Sequence, residues 1–421
     1  MVTPPPSNAN QNWKLKASAL DRYRWSQLRS EHRIFGCLIR YARNLIIDTC
    51  LGLVACVKAS AQCGVRSSTI IVLHGTPKLL KMQRKAGLVN ALRNQGHDVL
   101  EASIEPLAAA VRQRQLCRPP QRVPLRYYAH AAYAEWLSRH NNPRLILSDR
   151  NGSLISPFLR LSLNAQGKKL IHLAHATTVE SSRRLGMTDY DFYFLFGQSS
   201  LSALLSRPLR FGSTRVVLAG SHLIDRSYDM PPAKANLARV LILGVGPDKE
   251  KREGYILTYQ LLKNWAATHP DTEVSFKPHP RSRATFWLQA AEELGNVKVL
   301  PAEMNLAQAL QQCSVVVNIM SNAALEATLA KRPVVYVNAS GERDLLEQSR
   351  FFGRKIRTAV DLEDRLDWIG KNYEEALHQS RVFADYHLAH GVDGQDNTAA
   401  MISLLAKEQP VDSVILQGTV N

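Results

Sequence analysis

The sequence predicts an α/β protein built from two doubly wound units that follow one another along the chain. In each unit, short apolar and β-branched runs alternate with segments long enough to form helices. Six such runs lie between Thr69 and Gly220, and five lie between Ala238 and Ser340. Regular alternation of strands and helices is typical of a parallel sheet covered by helices on both faces, so we expect one such sheet in each unit.

The predicted domain boundaries follow this alternation. Residues 1–68 form a polar start and a basic, then apolar, helical extension, and residues 69–228 form the first unit. Residues 236–385 form the second unit, and residues 386–421 add a loop, a helix and a tail. Two facing units of this kind would leave a central cleft between them, where ligands bind preferentially.

The composition indicates a globular protein with an anionic partner. Hydrophobic residues make up 45% of the 421 residues, and the net charge is +17. No RNA- or DNA-binding motif is recognisable, so nucleic acid is not expected, and anionic lipid surfaces and phosphorylated small molecules remain. Six scattered cysteines without a CxxC pair indicate neither a disulfide framework nor a zinc ribbon, which favours a reducing, cytoplasmic setting.

The N-terminal extension leaves two interpretations open. Residues 14–43 carry eight Lys or Arg against two acids, and a run of thirteen mostly apolar residues, interrupted by Asp48, follows. A membrane-spanning helix needs about 20 apolar residues, so this run is too short to span. The extension either contacts the anionic face of the inner membrane peripherally, or packs on the first unit with its basic face in solvent.

The strongest candidate for a ligand site is the stretch FKPHPRSRA, residues 276–284. It follows a predicted strand, and ligands of open α/β sheets bind at the carboxyl ends of strands. Lys277 and His279 are two residues apart, so they point to the same side of an extended chain. Together with Arg281 they suit a phosphate or diphosphate, although a solvated turn has the same composition.

A second motif in the same unit, SNAALEA at residues 321–327, strengthens this assignment. Ser321 is suited to cap the following helix, and the backbone around Ser321 and Asn322 could bind a phosphate. Glu326, one turn into the helix, could accept hydrogen bonds from a ribose. Gly244 and Gly246 open the second unit and would allow a ligand to approach the backbone, although GxGxxG is absent.

In the first unit, the candidate catalytic residues also follow predicted strands. His175 precedes a loop rich in Ser and Thr, and a neutral imidazole there could act as general base toward a hydroxyl group. Asp149 and His74 occupy equivalent positions after other strands. His172 lies within its strand and is expected to be structural.

These motifs resemble those of GT-B glycosyltransferases that build bacterial surface polymers. KPHP followed by SNAALEATLAKRPVVYV is similar to the donor-site pattern of capsule polysaccharide glycosyltransferases and of CDP-glycerol glycerophosphotransferases. HATTVESSRRLG stands where the second family has an HGTPLK-type loop whose His is taken as the base, but it lacks that glycine and proline. Asn322 and the two alanines after it replace an acidic residue and paired serines of the glycerophosphotransferases, which favours a sugar donor.

The resemblance implies two Rossmann-like domains facing a central cleft, with a nucleotide sugar bound as substrate by the second unit. It implies no resident cofactor and no metal, and a glycan or lipid-linked acceptor at the first unit. His175 would deprotonate the acceptor, while His279 and Lys277 would offset charge on the leaving nucleotide. Glycerol-phosphate transfer and a non-catalytic accessory role in polysaccharide biosynthesis remain as alternatives.

Overall fold

The computed structural model describes residues 12–61, 68–177, 179, 182–233 and 239–420. The chain divides into two compact units. Unit 1 contains the chain up to Leu223 together with Gln395 onward, and unit 2 contains Ile224–Gly394. Both units are α/β with parallel sheets, which confirms the predicted fold class.

Unit 1 is built on a seven-stranded sheet, counted over the described residues. Its strands are β1 (Ile70–His74), β2 (Val99–Ser103), β3 (Leu145–Ser148), β4 (Lys169–Leu173), β5 (Phe192–Leu195), β6 (Ser213–Leu218) and β12 (Val414–Gln417). Their order is β12-β6-β5-β4-β3-β1-β2, with β12 antiparallel to β6 and the remaining pairs parallel. The order along the sheet changes direction between β1 and β3, so this is the switch point where a ligand site is expected.

The helices of unit 1 cover this sheet. They are α1 (Trp13–Glu31), α2 (Ile34–Lys58), α3 (Pro77–Lys81), α4 (Ala86–Asn94), α5 (Leu107–Arg112), α6 (Leu125–His140), α7 (Ser156–Asn164), α8 (Gln198–Leu205) and α17 (Gly394–Ala406). Strands β1, β3 and β5 are buried along their whole length, and β4 is buried except at Lys169, as continuous apolar runs predict for a sheet covered on both faces.

The N-terminal helices are an integral part of unit 1. Trp13 and Leu20 of α1 are buried, and the Lys16 ammonium lies 2.9 Å from the buried carboxylate of Asp189. Helix α2 packs along α6, with Gly52 at the contact. The packed interpretation of the extension is therefore correct for one face of these helices.

The C-terminal segment also belongs to unit 1. Ala399 and Ile402 of α17 lie in the same hydrophobic core as β1, β3 and β4, and the Thr398 hydroxyl donates to the Ala219 carbonyl at 3.2 Å. Strand β12 then pairs with β6. The sequence placed residues 386–421 after the second unit without assigning them to either one, because helical periodicity does not reveal which sheet a helix covers.

Unit 2 contains a five-stranded parallel sheet, again counted over the described residues. The strands are β7 (Arg239–Leu243), β8 (Glu273–Lys277), β9 (Val297–Val299), β10 (Val315–Asn318) and β11 (Val334–Tyr336), in the order β11-β10-β7-β8-β9. The helices are α9 (Pro247–Glu250), α10 (Glu253–Thr268), α11 (Thr285–Glu293), α12 (Leu306–Gln311), α13 (Ala323–Leu329), α14 (Gln348–Phe352), α15 (Ala359–Lys371) and α16 (Tyr373–His387). The sheet reverses its order between β7 and β10, as in a dinucleotide-binding half-domain.

Two observations bear on the predicted setting of the protein. Among the described residues, no helix has the length and hydropathy needed to cross a membrane. Cys117 is disulfide-bonded, whereas Cys37, Cys50, Cys56 and Cys313 are free. The bond at Cys117 was not expected from the cysteine spacing, because spacing along the chain does not report proximity in the fold.

The tight contact at Gly52 generates a test of the α2–α6 packing. A Cβ atom at Gly52 would overlap the carbonyl oxygen of Leu125, whereas a Cβ atom at Gly36 of the same helix would meet only the His32 side chain at 3.6 Å. We expect Gly52→Ala to lower the free energy of unfolding by about 1–3 kcal/mol, because overpacking forces backbone shifts. Gly36→Ala should be neutral or stabilising, since alanine favours helix. Urea unfolding of both variants measures this, and equal midpoints would contradict the packing.

Candidate functional site

The candidate site of unit 2 lies at the carboxyl ends of its three central strands. Strand β7 is flanked by β10 on one side and β8 on the other. The turn containing Gly244 and Gly246 follows β7, the KPHP stretch follows β8, and the SNAALEA stretch follows β10. The fold therefore places the three predicted motifs side by side at the switch point of one sheet, where ligands of such sheets bind.

The glycine turn is pressed against the end of β8. The Gly244 N–H donates to the Lys277 carbonyl at 2.9 Å. A Cβ atom at Gly244 would lie 2.8 Å from that carbonyl oxygen and 3.0 Å from the backbone nitrogen of His279. At Gly246, a Cβ atom would lie 3.8 Å from the Arg281 guanidinium. Gly244 is thus required for the two strand exits to meet, and Gly246 lies beside Arg281.

His279 is held in one orientation by the turn that follows it. Its Nδ1 accepts a hydrogen bond from the Arg281 N–H at 3.1 Å, so the proton of the neutral ring lies on Nε2. Partial burial, and then the charges of Arg281 and Lys277, lower the pKa of His279. A neutral His279 can donate one hydrogen bond from Nε2, and a bound anion would favour its protonation.

Lys277 binds backbone carbonyl oxygens, although the sequence predicted that it would contact a phosphate. Its ammonium donates to the carbonyl oxygens of Pro278 at 3.4 Å, Pro301 at 3.3 Å and Ala302 at 3.0 Å. Burial lowers the pKa of Lys277, with Glu303 acting in the opposite direction. All three N–H donors of Lys277 are occupied within the protein, so it stabilises the loop after β9 and does not offer a phosphate contact in this arrangement.

Ser321 and Asn322 lie in a turn that a buried amide network orders. The Ser321 N–H donates to Oδ1 of Asn318 at 3.1 Å, and Nδ2 of Asn318 donates to the Gln348 side chain at 2.6 Å. The Ser321 hydroxyl accepts from the Ala323 N–H at 3.3 Å, while Asn322 is the residue before α13. Sequence reasoning missed Asn318, because it lies inside the apolar run SVVVNIM that indicated only a core strand. It also missed Gln348, because the polar segment LEQSR carries no recognised motif.

Glu326 is a partly buried carboxyl group with an unused acceptor atom. Its Oε2 is buried and has no hydrogen-bond partner among the described residues. Burial raises the pKa of Glu326 to about 7. A carboxylate in this state gains from a ligand that supplies donors, and ribose hydroxyl groups are such donors.

Unit 1 has its own pocket, at the switch point between β1 and β3. The pocket has a volume of about 410 Å³ and contains residues that follow β1, β3 and β4. Its polar lining residues are His74, Thr76, Arg84, Lys85, Asp149, Arg150, Asn151, His175, Thr177, Ser182, Arg184 and His222. The predicted residues His74, Asp149 and His175 are thus brought together in one cavity.

Asp149 is engaged inside this pocket. It accepts a hydrogen bond from the Gly75 N–H at 2.8 Å and forms an ion pair with Lys85. Burial alone would raise the pKa of Asp149, but the charge and hydrogen bond of Lys85 lower it overall. Asp149 therefore stays ionised and joins the loops after β1 and β3, which makes it a positioning group and a weak base.

His175 and His172 are linked through one amide. Asn151 accepts from His172 Nε2 at 2.8 Å through Oδ1, and donates from Nδ2 to His175 Nδ1 at 3.4 Å. His172 is buried, stacks on Tyr190, and has a pKa lowered by burial to about 3, in keeping with a structural residue. Exposed His175 holds its proton on Nε2 in this arrangement, so Nδ1 is the atom through which it could take a proton.

His222 is a pocket residue that the sequence did not reveal. It is 3% exposed, and its Nε2 has no hydrogen-bond partner among the described residues. Burial, followed by the charge of Lys85, lowers the pKa of His222 to about 3, so its ring is neutral. It follows β6 in the sequence GSHLID, which carries no recognised motif.

The prediction that no metal is used stays a prediction. Over the described residues, no group of three or more His, Cys, Asp or Glu side chains is arranged to hold a metal ion. The pocket carboxylate Asp149 is paired with Lys85, and His74 lies 3.1 Å from Glu101.

Comparison with known proteins gives one family match, which lies within the second unit. Residues 256–340 match the model of a protein family described as capsule polysaccharide biosynthesis protein. This range includes His279, Ser321 and Glu326. A search of curated protein sequences gives no match.

Solved structures with low sequence identity share the fold. A candidate UDP-N-acetylglucosamine 2-epimerase from Listeria monocytogenes is 14% identical, with a TM-score of 0.53 over 82% of this chain and 98% of that one. The glycotransferase of kitacinnamycin is 15% identical, with a TM-score of 0.51 over 82% of this chain and 100% of that one. These comparisons confirm the predicted resemblance: the chain has a GT-B-like fold, and residues 256–340 resemble capsule polysaccharide biosynthesis proteins.

Proposed function

We propose that the protein is a glycosyltransferase that moves a sugar from a nucleotide-sugar donor to a glycan or lipid-linked acceptor in cell-surface polysaccharide biosynthesis. The observation that carries the proposal is the meeting of three motifs at the switch point of unit 2. His279, the Gly244–Gly246 turn and the SNAALEA stretch all lie at the carboxyl ends of adjacent strands. The family match to residues 256–340 covers two of these motifs and supports a role in polysaccharide synthesis.

The donor diphosphate is assigned to the turn after β8. His279 donates from Nε2, and exposed Arg281 supplies a charged fork beside Gly246. Negative charge develops on the nucleotide as the sugar leaves, and donors already in place stabilise it. The backbone at Ser321 and Asn322 lies next to β7 on the other side, and Glu326 takes the ribose hydroxyl groups.

The acceptor is assigned to the pocket of unit 1. His175 is the proposed general base, acting through Nδ1, and Asn151 holds the ring through a long hydrogen bond of 3.4 Å that an acceptor hydroxyl could replace. Asp149 keeps Lys85 and Gly75 in place. Glycerol-phosphate transfer would use the same groups, and a non-catalytic accessory protein would bind the nucleotide without consuming the donor.

Peripheral contact with an anionic membrane is assigned to the outward face of α2. Phe35, Ile39, Ile46, Leu53 and Val57, here called the apolar stripe, are 75%, 55%, 63%, 51% and 88% exposed. At 100° per residue they fall within an arc of about 40°. A helix that contacts only water rarely exposes an apolar face of this length. Such a face is typical of helices that lie in a membrane surface.

The charges beside the apolar stripe favour a bilayer over a second copy of the chain. Exposed Arg43 lies about 40° from the edge of the stripe, and exposed Arg40 lies about 100° from that edge on the same side. The acids Asp21 and Asp48 are turned inward, where they pair with Arg126 and Arg24. The exposed cations would attract anionic headgroups and would repel the same face of another protomer.

We expect His279→Ala to lower the rate of nucleotide release from the donor by about 10²-fold, since it removes a donor aimed at developing charge. His378→Ala, an exposed histidine of α16 in the same unit, is the matched control and should leave the rate unchanged. Nucleotide release by the purified variants measures this, with thermal unfolding to show that both remain folded. An unchanged rate in His279→Ala would remove this residue from the site.

The raised pKa of Glu326 predicts that donor binding depends on pH. Ionisation makes Glu326 an acceptor for the ribose, so affinity should rise as pH increases through about 7. With one carboxyl titrating, the ionised fraction is roughly one tenth at pH 6 and nine tenths at pH 8, which gives about tenfold weaker binding at pH 6.

Calorimetry of a nucleotide sugar over this range provides the test, because its diphosphate diester does not titrate there. Glu326→Gln should bind weakly at both pH values and lose the slope, whereas Glu375→Gln on exposed α16 should behave as the wild type. A slope that persists in Glu326→Gln would assign the titration to another group.

The membrane assignment predicts that Ile46→Asp weakens sedimentation with phosphatidylglycerol vesicles. Deleting the N-terminal residues would be a poor test, because α1 contributes to the core of unit 1. Val360→Asp makes the same change at an exposed valine of α15 in unit 2 and should bind vesicles normally. Full binding by Ile46→Asp would contradict the assignment, and loss of a dimer instead would identify a second copy as the partner.

A further inference from the structure

The pocket of unit 1 is more cationic than a site for a neutral sugar requires. Among the described lining residues, Asp149 is the only acid, and it is paired with Lys85. Arg84, Arg150 and Arg184 also line the cavity, and none of them forms an ion pair within the described part of the chain. Three guanidinium groups without a carboxylate partner among the described residues therefore line a cavity of about 410 Å³.

Two of these arginines are positioned by glycines of the neighbouring loops. Gly152 has a φ of +70°, and a Cβ atom there would lie 3.0 Å from the Cβ of Arg184. A Cβ atom at Gly75 would lie 3.3 Å from the Cβ of Arg150. The backbone after β1 and β3 thus lies directly against the stems of both side chains, which limits where their charged ends can go.

Buried polar atoms in the same cavity have unused hydrogen-bonding capacity. His222 Nε2 and the Thr177 hydroxyl each lack a hydrogen-bond partner among the described residues, and both side chains are 3% exposed. An unsatisfied buried polar group costs free energy, so the site is completed by a ligand or water that offers oxygen atoms. An oxyanion fits the arginines and these two groups at once.

We propose that this pocket binds an anionic group of the acceptor, either a phosphate or a sugar carboxylate, through Arg84, Arg150, Arg184 and His222. The identification of the ligand as the acceptor rests on the proposed function. The anion site itself rests only on the residues that line the cavity. The anion would fix the acceptor in the pocket that also contains His175. A neutral glycan of the same size would leave three guanidinium groups and His222 Nε2 without partners among the described residues, and the pocket would discriminate against it.

Three probes with one sugar ring test this inference: glucose, glucose 1-phosphate and sodium glucuronate. At low salt we expect the wild type to bind at least one of the two anions tenfold or more tightly than glucose, by calorimetry or ligand-observed NMR. Arg84→Gln combined with Arg184→Gln should abolish that preference. Arg112→Gln, an exposed arginine of α5 outside the pocket, and Arg281→Gln in unit 2 should both retain it.

The anion that loses affinity in the double variant identifies the source, phosphate or carboxylate. Equal affinity for glucose and both anions would overturn the inference, as would a preference that survives the double variant or disappears in Arg281→Gln. Donor consumption is measured separately. Anion binding in unit 1 without consumption of any donor would keep the anion site and overturn the proposed transferase function.

Discussion

The hydrogen bond from the Gly244 N–H to the Lys277 carbonyl joins the exits of β7 and β8, and the candidate donor site depends on it. At 2.9 Å, with no room for a side chain at Gly244, this contact sets the distance between the two strand exits. It places Gly246 beside Arg281, whose N–H in turn orients His279. A single close backbone contact therefore arranges the donors that the proposed chemistry requires.

The buried and the exposed cationic side chains of the two candidate sites differ in their contacts. In unit 2, burial and neighbouring cations lower the pKa of His279, and Lys277 is satisfied by carbonyl oxygens. In unit 1, the exposed arginines of the pocket have no carboxylate partners among the described residues. A net charge of +17 is thus partly accounted for by groups that surround one cavity and one helix face.

The sequence predicted the strands more completely than it predicted the side-chain contacts of the candidate sites. All the runs expected as strands form parallel-paired strands of the two sheets, because continuous apolar segments have few alternatives once both faces are buried. The run TEVSFK correctly placed Lys277 at the carboxyl end of β8. It could not show that the ammonium would meet the carbonyl oxygens of Pro301 and Ala302, since those contacts join distant segments.

The same limit applies to the groups that were missed. His222, Asn318 and the disulfide at Cys117 depend on proximity that only the folded chain creates. For α2, the sequence left both membrane contact and packing on the first unit open, although helical periodicity could have shown the apolar stripe. The structure exposes the apolar stripe, with Arg43 beside it.

Amide hydrogen exchange with a donor bound tests the central claim most directly. The protein would be incubated in turn with a UDP-sugar, a CMP-sugar and CDP-glycerol. The account predicts that either the UDP-sugar or the CMP-sugar slows amide exchange at residues 244–246, 281–283 and 321–326 of unit 2. The remaining two ligands should slow exchange there less. Protection confined to unit 1, or stronger protection by CDP-glycerol than by either nucleotide sugar, would contradict it.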